Sequence, residues 1–165
     1  AEEGWLMASG GNSNQTSGAQ HTLEQEEAAR QAAENEAAVE QQYLSQLLPQ
    51  SSPIHIPDNA TITSQSKSGY EQVKYQWTRG DYNYTSRWHT RTPGAPPEQG
   101  DSWVVERHLP GIGSGPNARP AKREVLVGDG KWVSKSTWDT AIRARKNKTA
   151  TQEQKELLDH GHWKA

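Results

Sequence analysis

Between residues 70 and 133 apolar and polar positions alternate in several short runs, and a period of two predicts strands. Val73, Tyr75 and Trp77 alternate with Lys74, Gln76 and Thr78. Past a Gly80-Asp81 turn, Tyr82, Tyr84, Ser86 and Trp88 take one side of the next run. Asn83, Thr85, Arg87, His89 and Arg91 take the other. Two such runs around a short glycine-containing connection predict a hairpin. Trp103, Val105, Arg107 and Leu109, alternating with Val104, Glu106 and His108, predict a third strand. Residues 123–127 predict a fourth, which Asp129-Gly130 turns toward Trp132-Val133. Gly/Pro-rich stretches at 92–97 and 110–120 read as loops.

The period then lengthens. Ser134 or Ser136 caps a helix with Trp138 and Ile142 inside and Arg143, Arg145 and Lys146 outside. Thr151 with Gln154 is a capping-box spacing for a second helix, burying Leu157 and Leu158 and ending near Gly161. Upstream, residues 22–48 predict a helix behind Thr22, with a thin apolar stripe that is mostly Ala until Tyr43, Leu44, Leu47 and Leu48. Such a helix needs a partner or frays. Residues 1–20 read as linker, and Pro49, Pro53 and Pro57 mark a second one. No internal repeat is found. The fold class expected is α+β: a small antiparallel β-sheet packed with short helices over residues 66–165, preceded by an acidic leader and linker over residues 1–65.

Composition sharpens this division. Only 31% of the 165 residues are hydrophobic and the mean hydropathy is -1.04, so part of the chain lacks the apolar surface to offset its ordering entropy. Six of the seven Trp and four of the five Tyr lie beyond residue 69. The overall charge of -2 hides an acidic first part and a basic second. Residues 1–65 hold one basic and nine acidic residues, whereas 66–165 hold 17 basic and 11 acidic, giving -8 and +6. That excess suits an anionic partner bound locally. The absence of Cys excludes disulfides, thiolate zinc sites and cysteine nucleophiles. No apolar run is long enough to span a membrane.

The segment 87–92, Arg-Trp-His-Thr-Arg-Thr, carries the most chemistry. Alternation places Arg87, His89 and Arg91 on one face with Trp88 on the other. Cleaving RNA without a metal or other cofactor requires a base for the 2′-OH proton, an acid for the leaving 5′-oxygen and cations on the phosphate. Imidazole serves the first two needs and guanidinium the third. Glu106 and His108 share a face of the neighbouring run. The expected site is therefore His89 and His108 as base and acid, Arg87 and Arg91 on the phosphate, and Glu106 orienting a His. A solvated polar sheet face is the plainer alternative. Lys122 and Arg123, with Arg143, Arg145, Lys146 and Lys148, are expected to neutralise RNA phosphates, against the alternative of an ordinary charged helix face.

Other motifs carry less. His160-Gly161-His162-Trp163 has two His at a spacing that could hold a metal, but the further ligands of an HNH nuclease cannot be placed. A helix C-cap at Gly161 explains the glycine. Asp101 or Glu106 with Glu124, Asp129 and Lys131 has the residue types of a metal-dependent DNase, though Asp129-Gly130 also reads as a plain turn. The glycines of 111–115 lack the strand and helix context of a nucleotide loop. A third possibility is a non-catalytic module whose Trp/Tyr sheet face stacks on bases or a partner.

Val39-Glu40-Gln41-Gln42, after the Ala/Glu/Asn-rich stretch 32–38, resembles the Val-Glu-Asn-Asn motif of CdiA proteins, the contact-dependent growth inhibition effectors of Gram-negative bacteria. There it separates the conserved body from a variable C-terminal toxin; here both Asn positions are Gln. The terminal 120 or so residues, from Tyr75-Gln76-Trp77 through 88–93 to His162-Trp163-Lys164-Ala165, are similar in style to the nuclease tips of polymorphic toxins. Many of those are barnase-, EndoU-, colicin- or RelE-like sheet–helix tRNases. The resemblance implies a secreted or cell-surface effector that acts in the target-cell cytoplasm, cuts tRNA or rRNA, and is neutralised by a cognate immunity protein. Some relatives need elongation factor Tu.

Overall fold

The computed structural model describes residues 14–165 of the chain, with side chains described from His21. Residues 1–13 of the expected leader lie outside the described part. The chain divides into two compact units at Tyr43/Leu44.

In the first unit, helix α1 (Asn14–Gln42) starts earlier than the expected N-cap at Thr22. Its residues from Thr22 to Gln42 are exposed, Leu23 and Val39 included, as a stripe made mostly of Ala would have it. Among the described residues no helix is long and apolar enough to cross a membrane.

The second unit is α+β. A π-helical turn (Tyr43–Leu47) runs into a 3-10 turn (Leu48–Ser51), followed by β1 (Thr61–Lys67), β2 (Tyr70–Arg79), β3 (Tyr82–His89) and β4 (Ser102–Leu109). Then come β5 (Lys122–Leu126), β6 (Trp132–Ser134), α2 (Lys135–Lys146), α3 (Gln152–Gly161) and β7 (Trp163–Lys164). The seven strands form one antiparallel sheet in the order β1-β2-β3-β4-β5-β6, with β7 pairing on β4. The expected Gly80-Asp81 hairpin joins β2 to β3, and Gly80 supplies the positive φ of its turn.

Each sheet face has its own core. On one, Val104 and Val125 pack with Val127 against Trp138, Ala141 and Leu158 of α2 and α3. Ser134 caps α2 by accepting from the Thr137 N–H, and Thr151 with Gln154 forms the expected capping box of α3. On the other face, Val73, Tyr75 and Trp103 pack with Leu48 and Ile56. Tyr75 donates its hydroxyl hydrogen to the Leu44 carbonyl, and the Trp103 indole N–H donates to Ser51 Oγ at 2.9 Å. Burying an aliphatic side chain of this size stabilises a fold by roughly 1.5–3 kcal/mol. The segment expected to be linker, with its three prolines, is therefore part of the domain. The compact unit opens at Leu44 rather than near residue 66.

Candidate active site

Alternation along the strands fixes which side chains meet. On the helix-backed face, β3 presents Asn83, Thr85, Arg87 and His89, and β4 presents Ser102, Val104, Glu106 and His108. Register pairs His89 with Ser102, but Asn83 with His108. His108 thus lies six residues along β4 from the position opposite His89, ~20 Å at the strand rise. The expected His89–His108 pair does not form, because the two rings stand at opposite ends of the ladder.

A different histidine meets His89. Helix α3 ends at Gly161, and His162 turns into an extended conformation that leads to β7. Its ring stands edge-on to that of His89, with centroids 5.8 Å apart and planes at 88°. Trp138 backs His162 at 5.0 Å, and Tyr70 approaches His89 edge-on at 6.3 Å. Gly161 is not a left-handed cap. A Cβ there would meet Trp138 Cζ3 at 2.2 Å, so glycine is required for the close approach that seats Trp138 and, on it, His162.

The tautomers follow from the partners. His89 Nδ1 lies 2.9 Å from the Thr90 carbonyl and His162 Nδ1 2.6 Å from that of Leu158. A carbonyl only accepts, so each Nδ1 carries hydrogen and each neutral ring keeps its Nε2 lone pair. Neither Nε2 takes a protein hydrogen bond among the described residues. Burial pushes the His162 pKa down to about 4, aided by Arg145, His89 and Arg87 and opposed by the Leu158 hydrogen bond. His89 is also lowered, first by burial and then by Arg87 and Arg145, against the Thr90 hydrogen bond and Asp101.

Both rings line a groove of about 910 Å³ between α2 and the open sheet face. Seven Lys or Arg side chains line it against one carboxylate, Asp139. Lys74 and Arg87 face each other across β2 and β3. Arg145, Lys146 and Lys148, three of the residues expected to meet RNA phosphates, close the far wall, and Lys67 and Lys135 join them. Gln99 Oε1 accepts from Arg145 at 2.8 Å and holds it in place. Glu106 accepts from Arg87 and lies 3.9 Å from Lys135, so it orders cations and not a histidine. Lys148 is the one non-glycine residue with positive φ among the described residues, at 60°. Its N–H bonds to the Arg145 carbonyl while Thr149 bonds to that of Ala144, the pairing that ends a helix in a left-handed residue.

The remaining expected residues lie elsewhere. Arg91 is exposed and donates to the Ala95 and Pro96 carbonyls, so it ties its own loop instead of a phosphate. Arg143 points away from the groove toward Thr140. Lys122 and Arg123 are on β5, at the His108 end of the sheet. The carboxylates of the DNase alternative do not converge. Glu124 pairs with Arg107 on the opposite face, Glu106 pairs with Arg87, and Asp129 stands in a turn. Among the described residues no group of three or more His, Asp or Glu could hold a metal ion.

No family model, no curated protein and no solved structure matches this chain.

Proposed function

We propose that the chain is a metal-independent ribonuclease whose acid and base are His89 and His162. The observation that carries this reading is the edge-on histidine pair on the wall of a groove lined by seven cations. Two imidazoles this close can reach the two oxygens on either side of one phosphorus. His162 is unprotonated at neutral pH with its lone pair on Nε2, and that Nε2 takes the proton of the ribose 2′-OH. O2′ then bonds to phosphorus, the P–O5′ bond breaks, and protonated His89 delivers its proton to O5′. The products are a 2′,3′-cyclic phosphate and a free 5′-hydroxyl. Lys74 and Arg87 bear the charge that builds on the phosphoryl oxygens.

In the free protein both rings are neutral at pH 7, so the acid has to be charged by the substrate. Burial, and after it Arg87 and Arg145, hold His89 down; a bound phosphate cancels the field of the two guanidinium groups and so moves the ring toward the imidazolium. The resemblance to CdiA toxin tips makes tRNA the substrate to test first. It also supplies the setting of entry into a neighbouring bacterium and a cognate immunity protein, with elongation factor Tu as the host protein that some relatives need.

The test is to incubate the purified chain with total RNA, tRNA and plasmid DNA in the presence of EDTA. Cleaved RNA with cyclic phosphate ends and intact plasmid are expected. Intact RNA, or plasmid cutting that EDTA stops, would overturn the reading.

A further inference from the structure

We infer that a second hollow, at the far end of the same sheet face, holds the RNA next to the cut as an unpaired strand, with a base on Gln76 and Asn83 and a phosphate on Arg123. The inference rests on the ribonuclease reading of the His89 groove. The hollow measures about 640 Å³. Four adjacent strands build it, through the pairs Gln76 with Thr85, Thr78 with Asn83, Asn83 with His108, and His108 with Arg123.

It continues the groove. Gln76 follows Lys74 by two residues on β2, and Thr85 precedes Arg87 by two on β3, so all four share one face. Glu106 lines the hollow and bonds Arg87 of the groove, which neutralises the carboxylate that would otherwise repel a strand passing between. The ~20 Å that separates the histidines leaves room for several nucleotides.

The chemistry of the two ends differs. Seven cations line the groove, where the phosphate reacts. Of the two arginines that line the hollow, Arg107 turns its guanidinium to the opposite face, onto Glu124 and over Tyr82 and Trp132, 4.5 and 4.1 Å from their ring centres. Arg123 is exposed and has no carboxylate partner among the described residues. What remains is neutral. Asn83 Oδ1 accepts from Thr78 at 2.8 Å, which turns its amide N–H group outward as a donor. The exposed Gln76 amide offers both a donor and an acceptor. Amide side chains read base edges, whereas a duplex offers its outer phosphates and hides its pairing edges. One cation among amides and hydroxyls therefore fits an unpaired base with its phosphate.

The experiment uses the full chain and a labelled 2′-O-methyl octanucleotide, which binds but has no 2′-OH to react. Asn83→Ala and Arg123→Ala are each expected to weaken anisotropy-measured binding about fivefold or more. Duplex binding of Asn83→Ala, and cleavage of a dinucleotide by both variants, stay at wild-type levels. Octamer binding within twofold of wild type in both variants, or an equal loss for duplex and single strand in Asn83→Ala, would overturn the inference. A wild-type chain that discriminates in this way yet cuts no RNA removes the ribonuclease reading and leaves the hollow standing. A chain that cuts RNA while its variants do not discriminate removes the hollow alone.

Discussion

His89 and His108 share a sheet face and a strand pair, yet they live in different chemical settings. His89 is 5% exposed and walled by Tyr70 and His162, and that burial lowers its pKa, with Arg87 and Arg145 adding to the shift. His108 is half-buried in a hollow of amides and hydroxyls with Arg123 across from it. The difference comes from what covers the sheet. Helices α2 and α3 close over one end of the face and bring a second imidazole with them, while the other end stays open. A histidine on a polar strand face becomes a candidate acid or base when another element arrives to desolvate it and pair it.

The sharpest way to break this comparison is substitution at the two ends. His162→Ala or His89→Ala is expected to lower kcat/KM on a dinucleotide by about 10²- to 10⁴-fold, the range of general acid–base contributions. His108→Ala should stay within about threefold on the same substrate, since no reacting atom reaches it. Initial rates, with circular dichroism to show each variant folded, decide the matter. An equal collapse in His108→Ala would erase the distinction between the ends.

Much of this is legible in the amino-acid sequence. Alternation placed Trp88 against the aromatic core and Arg87 with His89 on the other face, and both hold. The error lay in register, and the sequence held the cue. Antiparallel neighbours joined by a loop pair so that residue numbers sum to a constant, here 191 for both His89 with Ser102 and Asn83 with His108. Residues beside the loop pair with each other, so His108, at the far end of β4, could never face His89. His162 had no comparable cue. Its position depends on a two-residue pairing, Ser102 with Lys164 and Trp103 with Trp163, too short to leave a periodic pattern. The opening of the domain was hidden for another reason. Residues 61–67 are mostly polar and exposed, and Leu48 and Ile56 lie in a proline-broken stretch without a strand or helix period, so their burial reflects contacts made far along the chain.

Acid titration offers the next largest effect. The folded His162 titrates near 4 and an unfolded one near 6.5. Between those values the unfolded chain binds the extra proton, so the stabilising contribution is present above pH 6.5 and is lost as the pH falls to 4. A shift of that size corresponds to about 3 kcal/mol. Denaturant melts of the wild type should lose stability across this window, and His162→Asn should flatten much of the loss. His89, lowered as well, adds to the slope in the same direction.

Gly161→Ala tests how the closed end is assembled. The new methyl collides with Trp138, and relieving such overpacking typically costs about 1–3 kcal/mol. Because Trp138 carries His162 at 5.0 Å, dinucleotide cleavage should fall further than the melting temperature alone explains. The open end should still bind the octanucleotide. Full activity in a destabilised Gly161→Ala protein would mean that His162 does not depend on its seat.

The smallest effect separates stability from function at one residue. Lys148 occupies a left-handed position at the end of α2, where an L side chain costs about 1–2 kcal/mol and glycine costs none. Nothing in the helix ending itself calls for lysine, whereas the groove gains an ammonium on its wall. Lys148→Gly should therefore raise stability by up to about 1 kcal/mol, the glycine's greater unfolded-state freedom offsetting part of the relief. The same change should weaken RNA binding and make it less salt-dependent, since one phosphate contact contributes about 0.7 to the logarithmic salt slope of a single strand. Melting curves and a salt titration of binding on one preparation read both. A more stable protein with an unchanged salt slope would place Lys148 outside the RNA path, and the cation excess of the closed end would then have to rest on the α2 and strand residues alone.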